Sequence, residues 1–235
     1  MLDTQLITIL GLGFLLGARH ALDADHVAAV STILSERPDL KTSGLIGFSW
    51  GFGHTAMLLA IGLAILLLKI TIPESLAQAF EFGVGLMLVL LGGSLAAALV
   101  RDGWHVHQHR HGGETHVHLH NHRFQAGHAH GHWMEISLKP FMVGMVHGLA
   151  GSAALALMVL SAVRTVWEGL GYILVFGAGS IAGMMVLGMA ISLPLVWSAS
   201  FGRRAQLAVQ GAASLGSIAL GLAMMTRIGW GAAAF

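Results

Sequence analysis

The chain has 235 residues, of which 55% are hydrophobic and only 10% are charged, and its mean hydropathy is +0.75. Soluble domains carry about 25% charged residues, so this composition predicts a multi-pass membrane protein whose surroundings are the lipid bilayer. The absence of cysteine excludes disulfides, thiolate metal ligands and cysteine nucleophiles. A net charge of +1 offers no basic surface for phosphates, which excludes nucleic acid as a partner.

Six apolar segments are each long enough for a helix that crosses a bilayer, which needs about 20 residues. They cover residues 6–34, 44–68, 76–100, 139–163, 170–197 and 207–228. The fold class is therefore predicted to be all-α, a polytopic membrane protein with six transmembrane helices. The first segment contains five polar residues, and we expect its helix to break close to them. They are Arg19, His20, Asp23, Asp25 and His26.

The lysines and arginines are unevenly distributed between the two sets of loops. Eight lie in the loops that follow the first, third and fifth segments, and three lie on the opposite face. Because cytoplasmic loops are enriched in these residues, the long loop after the third segment is predicted to be cytoplasmic and both termini to lie outside. The expected location is the plasma membrane, which in a bacterium is the inner membrane.

Part of the chain is repeated. Residues 14–22 recur 127 residues later as residues 141–149, and phenylalanine, glycine, histidine and leucine match in place. A weaker match with an offset of 126 relates residues 51–56 to 177–182. Each half holds three helices, so the second half crosses in the opposite sense, giving the 3+3 inverted repeat found in many secondary transporters. We expect repeats at 1–100 and 139–235, joined by a histidine-rich loop at 101–138.

The charged residues of the first segment predict a cation site inside the membrane. An aspartate or arginine at the centre of a membrane helix costs roughly 2.5–3.5 kcal/mol, so a compensating interaction is required. A pair between Arg19 and Asp23 is one structural alternative, but it leaves Asp25 and the two histidines unexplained. On a regular helix His20, Asp23 and His26 share one face, and Asp25 joins them only if the helix unwinds locally.

Imidazoles and carboxylates without sulfur form a ligand set suited to divalent nickel, cobalt or zinc rather than copper(I). His54, flanked by glycine in the second segment, and His147, which occupies the repeat position of His20, are further candidates. A hydrogen-bonded structural histidine is the alternative for both. The methionines of the fifth segment are expected to pack rather than to bind. The predicted ligands are His20, Asp23, Asp25, His26, His54 and His147.

Eleven of the fifteen histidines lie between His105 and His132, in three runs that alternate with other residues. Histidine-rich tracts bind transition metals, and in an extended segment every second side chain shares a face. We expect a flexible cytoplasmic loop that buffers or delivers metal. The alternative is a hydrophilic linker with no role in metal handling.

The sequence Arg-His-Ala-Leu-Asp-Ala-Asp-His at residues 19–26 resembles the signature of the nickel/cobalt transporter family, and Gly-His-Thr at 53–55 resembles its second motif. The six-helix form is similar to the permease branch associated with urease accessory genes. This resemblance implies uptake of Ni²⁺, with Co²⁺ as an alternative cargo, and no enzymatic activity. It also implies that His20, Asp25 and His26 bind the ion, that Asp23 and His54 complete or orient the site, and that cytoplasmic metallochaperones or nickel-enzyme maturation proteins are partners.

The chain departs from that family in its second half. Members usually have eight helices and an acid-bearing block at the place where residues 148–154 here contain no carboxylate, which leaves Asp23 and Asp25 as the main intramembrane acids. Two other functions fit parts of the pattern. One is efflux of nickel or cobalt, and the other is a haem-binding redox protein with axial ligands among His20, His54 and His147. The motifs of zinc proteases and of P-loop ATPases are absent.

Overall fold

The computed structural model of the chain describes residues 4–35, 39–70, 72–101, 107–111, 114–118, 138–151 and 165–233. This part of the chain contains seven helices and one two-stranded antiparallel sheet. The helices are α1 (Thr4–His20), α2 (Ala24–Leu34), α3 (Leu40–Leu68), α4 (Glu74–Arg101), α5 (138–151), α6 (Val166–Ser200) and α7 (Arg203–Ala233). The strands are β1 (His107–His111) and β2 (Glu114–His118), with His107 opposite His118 and His111 opposite Glu114.

The predicted class, an all-helical polytopic membrane protein, is confirmed. Within the described residues, α3, α4, α6 and α7 are long and apolar enough to cross a membrane. The fourth predicted span is described only as far as residue 151, and its remainder lies outside the described residues. The β1–β2 hairpin lies in the histidine-rich loop and is an addition to the predicted helices.

The first predicted span is broken at its charged residues, as expected. Helix α1 ends at His20, and α2 begins at Ala24 after a turn in which Asp23 has an extended backbone (φ −62°, ψ 144°). The break removes the single helical face on which His20, Asp23 and His26 were expected to lie. It also places Asp25 in the first turn of α2, where the partial positive charge of a helix N-terminus favours a carboxylate.

Helices α1 and α6 pack with their backbones in direct contact. Gly17 of α1 lies against the carbonyl of Phe176, and Gly179 of α6 lies against the carbonyl of Phe14. A Cβ atom at either glycine would overlap the opposite backbone. Small residues at such crossings allow helices to approach closely in lipid, where apolar surfaces alone provide little driving force.

Helices α3 and α5 repeat this arrangement with different residues. Gly144 of α5 lies against the carbonyl of Trp50, and Gly53 of α3 lies against the carbonyl of Phe141. Each of these residues is 126 or 127 positions from its counterpart in the α1–α6 pair. The duplicated sequence segments therefore make corresponding contacts, with α1 corresponding to α5 and α6 to α3.

The remaining pair, α4 and α7, is joined by glycine contacts and hydrogen bonds. Gly221 packs against the backbone carbonyl of Gly85, and Gly85 packs against that of Gly221. The hydroxyls of Ser214 and Ser217 donate to the carbonyls of Gly92 and Leu88, each at 2.9 Å. Helix α2 is shorter and packs against α7, α4 and α6.

Asp39 stabilises the start of α3. Its Oδ2 accepts hydrogen bonds from the backbone N–H of Thr42 at 2.9 Å and from the Thr42 hydroxyl at 2.8 Å, and these bonds lower the pKa of Asp39 below its ordinary value of 3.8. The cap therefore contributes its full stability above that ordinary pKa and loses it as the pH falls through the lower folded-state pKa.

We expect Asp39→Ala to lower the free energy of unfolding by about 1 kcal/mol at neutral pH. The difference from the parent protein should shrink below about pH 4, where the unfolded-state carboxyl takes up a proton. Thermal unfolding in detergent across this pH range measures the effect. Asp39→Asn, which keeps a capping oxygen, is the control and should lose little stability at neutral pH. A loss as large as that of the alanine variant would show that the cap is not responsible.

Candidate metal centre

The break between α1 and α2 presents His20 to the interior of the helix bundle. Its Nδ1 donates to Oδ2 of Asp23 at 2.8 Å, and its Nε2 lies 3.2 Å from Nε2 of His54 on α3. The Asp23 side chain is 55% exposed and that of His20 is 22% exposed. Asp23 therefore lies at the outer edge of the site and holds the imidazole so that its second nitrogen points inwards.

Asp25 holds two further imidazoles. Its Oδ1 accepts from Nδ1 of His26 at 3.1 Å and from the His26 backbone N–H at 2.9 Å, while its Oδ2 accepts from Nε2 of His147 on α5 at 2.9 Å. His26 and His147 are almost fully buried, at 1% and 2% exposure. A carboxylate that binds one nitrogen of an imidazole fixes the ring orientation and leaves the other nitrogen available to a metal.

Several of the remaining ring nitrogens are buried and have no hydrogen-bond partner in the described part of the chain. They are Nε2 of His26, Nδ1 of His54 and Nδ1 of His147. Buried polar atoms are normally hydrogen-bonded, so three such nitrogens in one cluster require an explanation. A bound cation would supply the missing partner for lone pairs of this kind.

The potential ligand atoms form two groups that share one residue. His20, His26 and His54 form the first group, and Asp25, His26 and His147 form the second; within each group the ligand atoms lie within 4.8 Å of one another. In the first group the ring centroids are 4.6, 5.1 and 5.3 Å apart. Nitrogens that each lie about 2.0–2.1 Å from a tetrahedral metal are roughly 3.3 Å apart, close to the 3.2 Å between His20 and His54.

Two aromatic residues and the backbone of α5 enclose the cluster. The Phe176 ring lies 5.6 Å from that of His20, and the Trp50 ring lies 5.6 Å from that of His147. A Cβ atom at Gly151 would lie 3.7 Å from Nε2 of His20, so α5 passes directly beside the site. Neither aromatic residue was predicted from the sequence to belong to the site, although their separation of 126 residues matches the repeat.

All six residues predicted as ligands lie in this one cluster. The Asp23 carboxylate bonds His20, so the structural alternative, in which it pairs with Arg19, is not what the structure has. Met184, one of the methionines expected to pack, is buried in the core with Trp50. The eleven histidines of the loop cannot be compared in the same way, because their side chains lie outside the described part of the chain.

Comparison with known proteins gives an independent result. The chain matches the NicO family, described as high-affinity nickel-transport protein, over residues 6–226. It is 39% identical over 198 residues to the urease accessory protein UreH of Bacillus sp. (strain TB-90), covering 84% of this chain and 82% of that protein. It is 26% identical over 186 residues to the chloroplast protein FOR GROWTH AND FERTILITY 2 of Arabidopsis thaliana, covering 78% of this chain and 47% of that protein. No solved structure matches the chain. The chain therefore belongs to the NicO family of high-affinity nickel-transport proteins.

Proposed function

We propose that this protein takes up Ni²⁺ across the plasma membrane into the cytoplasm, with Co²⁺ as a second cargo. Membership of the NicO family means that it moves nickel across a membrane, and this function supports the proposal that the protein is a transporter and not an enzyme. One observation carries the assignment of the site. Imidazoles from α1, α2, α3 and α5 converge there beside two carboxylates, and three of their buried ring nitrogens have no hydrogen-bond partner in the described part of the chain.

In this proposal His20, His26 and His54 bind the ion first. Asp23 and Asp25 stand behind His20 and His26, where they fix the ring orientations and balance the two positive charges of the cation. Charge balance matters because an uncompensated ion is costly to place in a low-dielectric interior. The sequence predicted that Asp25 binds the ion beside His20. In this proposal Asp25 instead orients His26 of the first ligand group, and it belongs to the second ligand group, with His26 and His147.

The two halves, residues 1–100 and 139–235, form the inverted repeat, with the cytoplasmic histidine-rich loop at 101–138 between them and both termini outside. The corresponding glycine contacts of the α1–α6 and α3–α5 pairs support the repeat. The lysine and arginine distribution supports the orientation. The name of the bacterial relative, a urease accessory protein, supports metallochaperones or nickel-enzyme maturation proteins as cytoplasmic partners.

Cellular nickel content tests the proposal. Cells that express the protein should accumulate more nickel than cells without it, and Asp25→Ala should remove the gain at equal expression because two ligand imidazoles lose their anchor. A fall in cellular nickel on expression would instead identify an exporter. A Soret band in the purified protein would identify the haem-binding alternative.

Deleting residues 105–132 should reduce the initial rate of nickel uptake only modestly. The loop histidines raise the local metal concentration or receive imported ion, whereas the ligands of the transport site all lie in the helices. Uptake of radioactive nickel at several external concentrations measures the effect. Complete loss of uptake by a deletion variant that remains folded and in the membrane would place the loop on the transport path itself.

A further inference from the structure

The two ligand groups share His26 and differ in which half of the protein supplies the second histidine. His20 lies in the first half and His147 at the corresponding position of the second. From this arrangement, and resting on the proposed function, we infer that the ion occupies two overlapping positions in turn. It binds first to His20, His26 and His54, and then passes to the position formed by Asp25, His26 and His147, with His26 as the residue common to both positions.

The surroundings of the two outer histidines support their equivalence. His20 contacts the ring of Phe176 on α6, and His147 contacts the ring of Trp50 on α3, at the same centroid distance of 5.6 Å. Trp50 and Phe176 also correspond in the repeat. In carriers built from inverted repeats, one half rocks or gates against the other around a site near the membrane midplane. A ligand from each half on either side of His26 would then serve one access state each.

His147 presents one ring nitrogen to Asp25 and keeps the other without a partner. Its Nε2 lies 2.9 Å from Oδ2 of Asp25, and its Nδ1 is buried and lacks a partner among the described residues. His26 is likewise held by Asp25 through Nδ1, which leaves its Nε2 free. Asp25 therefore orients both of the imidazoles between which the ion would pass.

The second position has fewer imidazoles than the first. In the repeat, the position of His54 corresponds to that of Ser180, whose buried hydroxyl has no hydrogen-bond partner in the described part of the chain. The first group contains three histidines and the second contains two histidines and a carboxylate. Imidazole suits nickel better than a carboxylate does, so the first position suits capture of the ion and the second suits its release.

The experiment separates binding from transport in the undeleted chain of 235 residues. Binding is measured as the nickel-dependent rise in Tm in detergent, since a ligand that binds only the folded state stabilises it. Transport is measured as nickel flux into proteoliposomes. His26→Ala retains all the loop histidines, so any rise in Tm that remains in this variant reports the loop alone. Ser198→Ala, which removes only a hydroxyl bonded within α6, is the matched control for both measurements.

We expect His147→Ala to keep the nickel-dependent rise in Tm of the parent protein and to lower flux by about tenfold or more. His147→Gln should behave in the same way, because its amide can still donate to Asp25 but provides no imidazole.

A rise in Tm reduced to the level of His26→Ala would show that His147 belongs to a single site and would overturn the inference. Normal flux in either variant, or flux rescued by glutamine alone, would assign His147 a structural role and would also overturn it. Absence of nickel flux by the parent protein would instead reject the proposed function.

Discussion

Replacing His26 with alanine should remove nickel binding and nickel transport together. His26 is the only residue common to the two ligand groups found among the described residues, and it is 1% exposed. The substitution therefore removes a ligand from both groups and leaves a cavity at the place of the imidazole ring. Loss of supporting interactions at metal sites typically costs 10–100-fold in affinity, and loss of a shared ligand should cost at least about that much.

Calorimetry on protein lacking residues 105–132 measures this effect, because the loop histidines then contribute no binding. Ser198→Ala in the same background is the control, and we expect it to bind as the parent does. The elution volume of the His26→Ala variant in gel filtration shows whether the helices remain assembled. Unchanged nickel affinity in a folded His26→Ala variant would remove the site described above.

Alanine at Gly17 or Gly144 should prevent stable assembly of the helices. In each case the new Cβ would occupy the same space as a backbone carbonyl of the neighbouring helix, that of Phe176 or that of Trp50. Helix backbones cannot yield as flexible side chains do, so we expect destabilisation of about 3 kcal/mol or more, at the upper end of the range for overpacking. The two variants should behave alike, since the two glycines occupy corresponding positions in the repeat.

Gly93 and Gly216 provide matched controls within α4 and α7. A Cβ at either position meets no atom within 4 Å. Alanine there should be neutral or should stabilise the protein by up to about 1 kcal/mol through its better helix propensity. The yield of monodisperse protein and the midpoint of thermal unfolding in detergent compare the four variants. Equal behaviour of Gly17→Ala and Gly216→Ala would show that the close helix crossing does not govern stability.

The sequence was sufficient to predict which residues gather at the site but not how they bond to one another. The cost of placing charge in lipid pointed to residues 19–26, and the repeat pointed to His147. The bond between Asp25 and His147 joins residues 122 positions apart, so it depends on how α2 and α5 pack. The sequence also could not show that Asp23 supports His20 from the exposed edge, because that depends on where the helix breaks.

For the fold as well, the sequence predicted the elements but not their contacts. Hydropathy identified the long spans and the break in the first, because both follow from local composition. The pairing of helices was not predictable, although glycines such as Gly17 and Gly53 showed that close contacts would exist. Alternation of histidines was compatible with an extended loop, and the Gly-Gly pair at residues 112–113, which is typical of a two-residue hairpin connection, was a signal in the sequence for the antiparallel pairing of His107–His111 with Glu114–His118.

The pairing of helices across the two halves has a consequence for biosynthesis. Helices α1 and α3 pack against α6, and α4 packs against α7, so most contacts between helices join residues far apart in the sequence. High contact order slows folding. At a synthesis rate of ~5–20 residues per second, the delay between the synthesis of α1 and that of α6 is roughly ten seconds or more. During that interval its glycine face has no partner helix, so the close backbone contacts of α1 form only after the second half has been made.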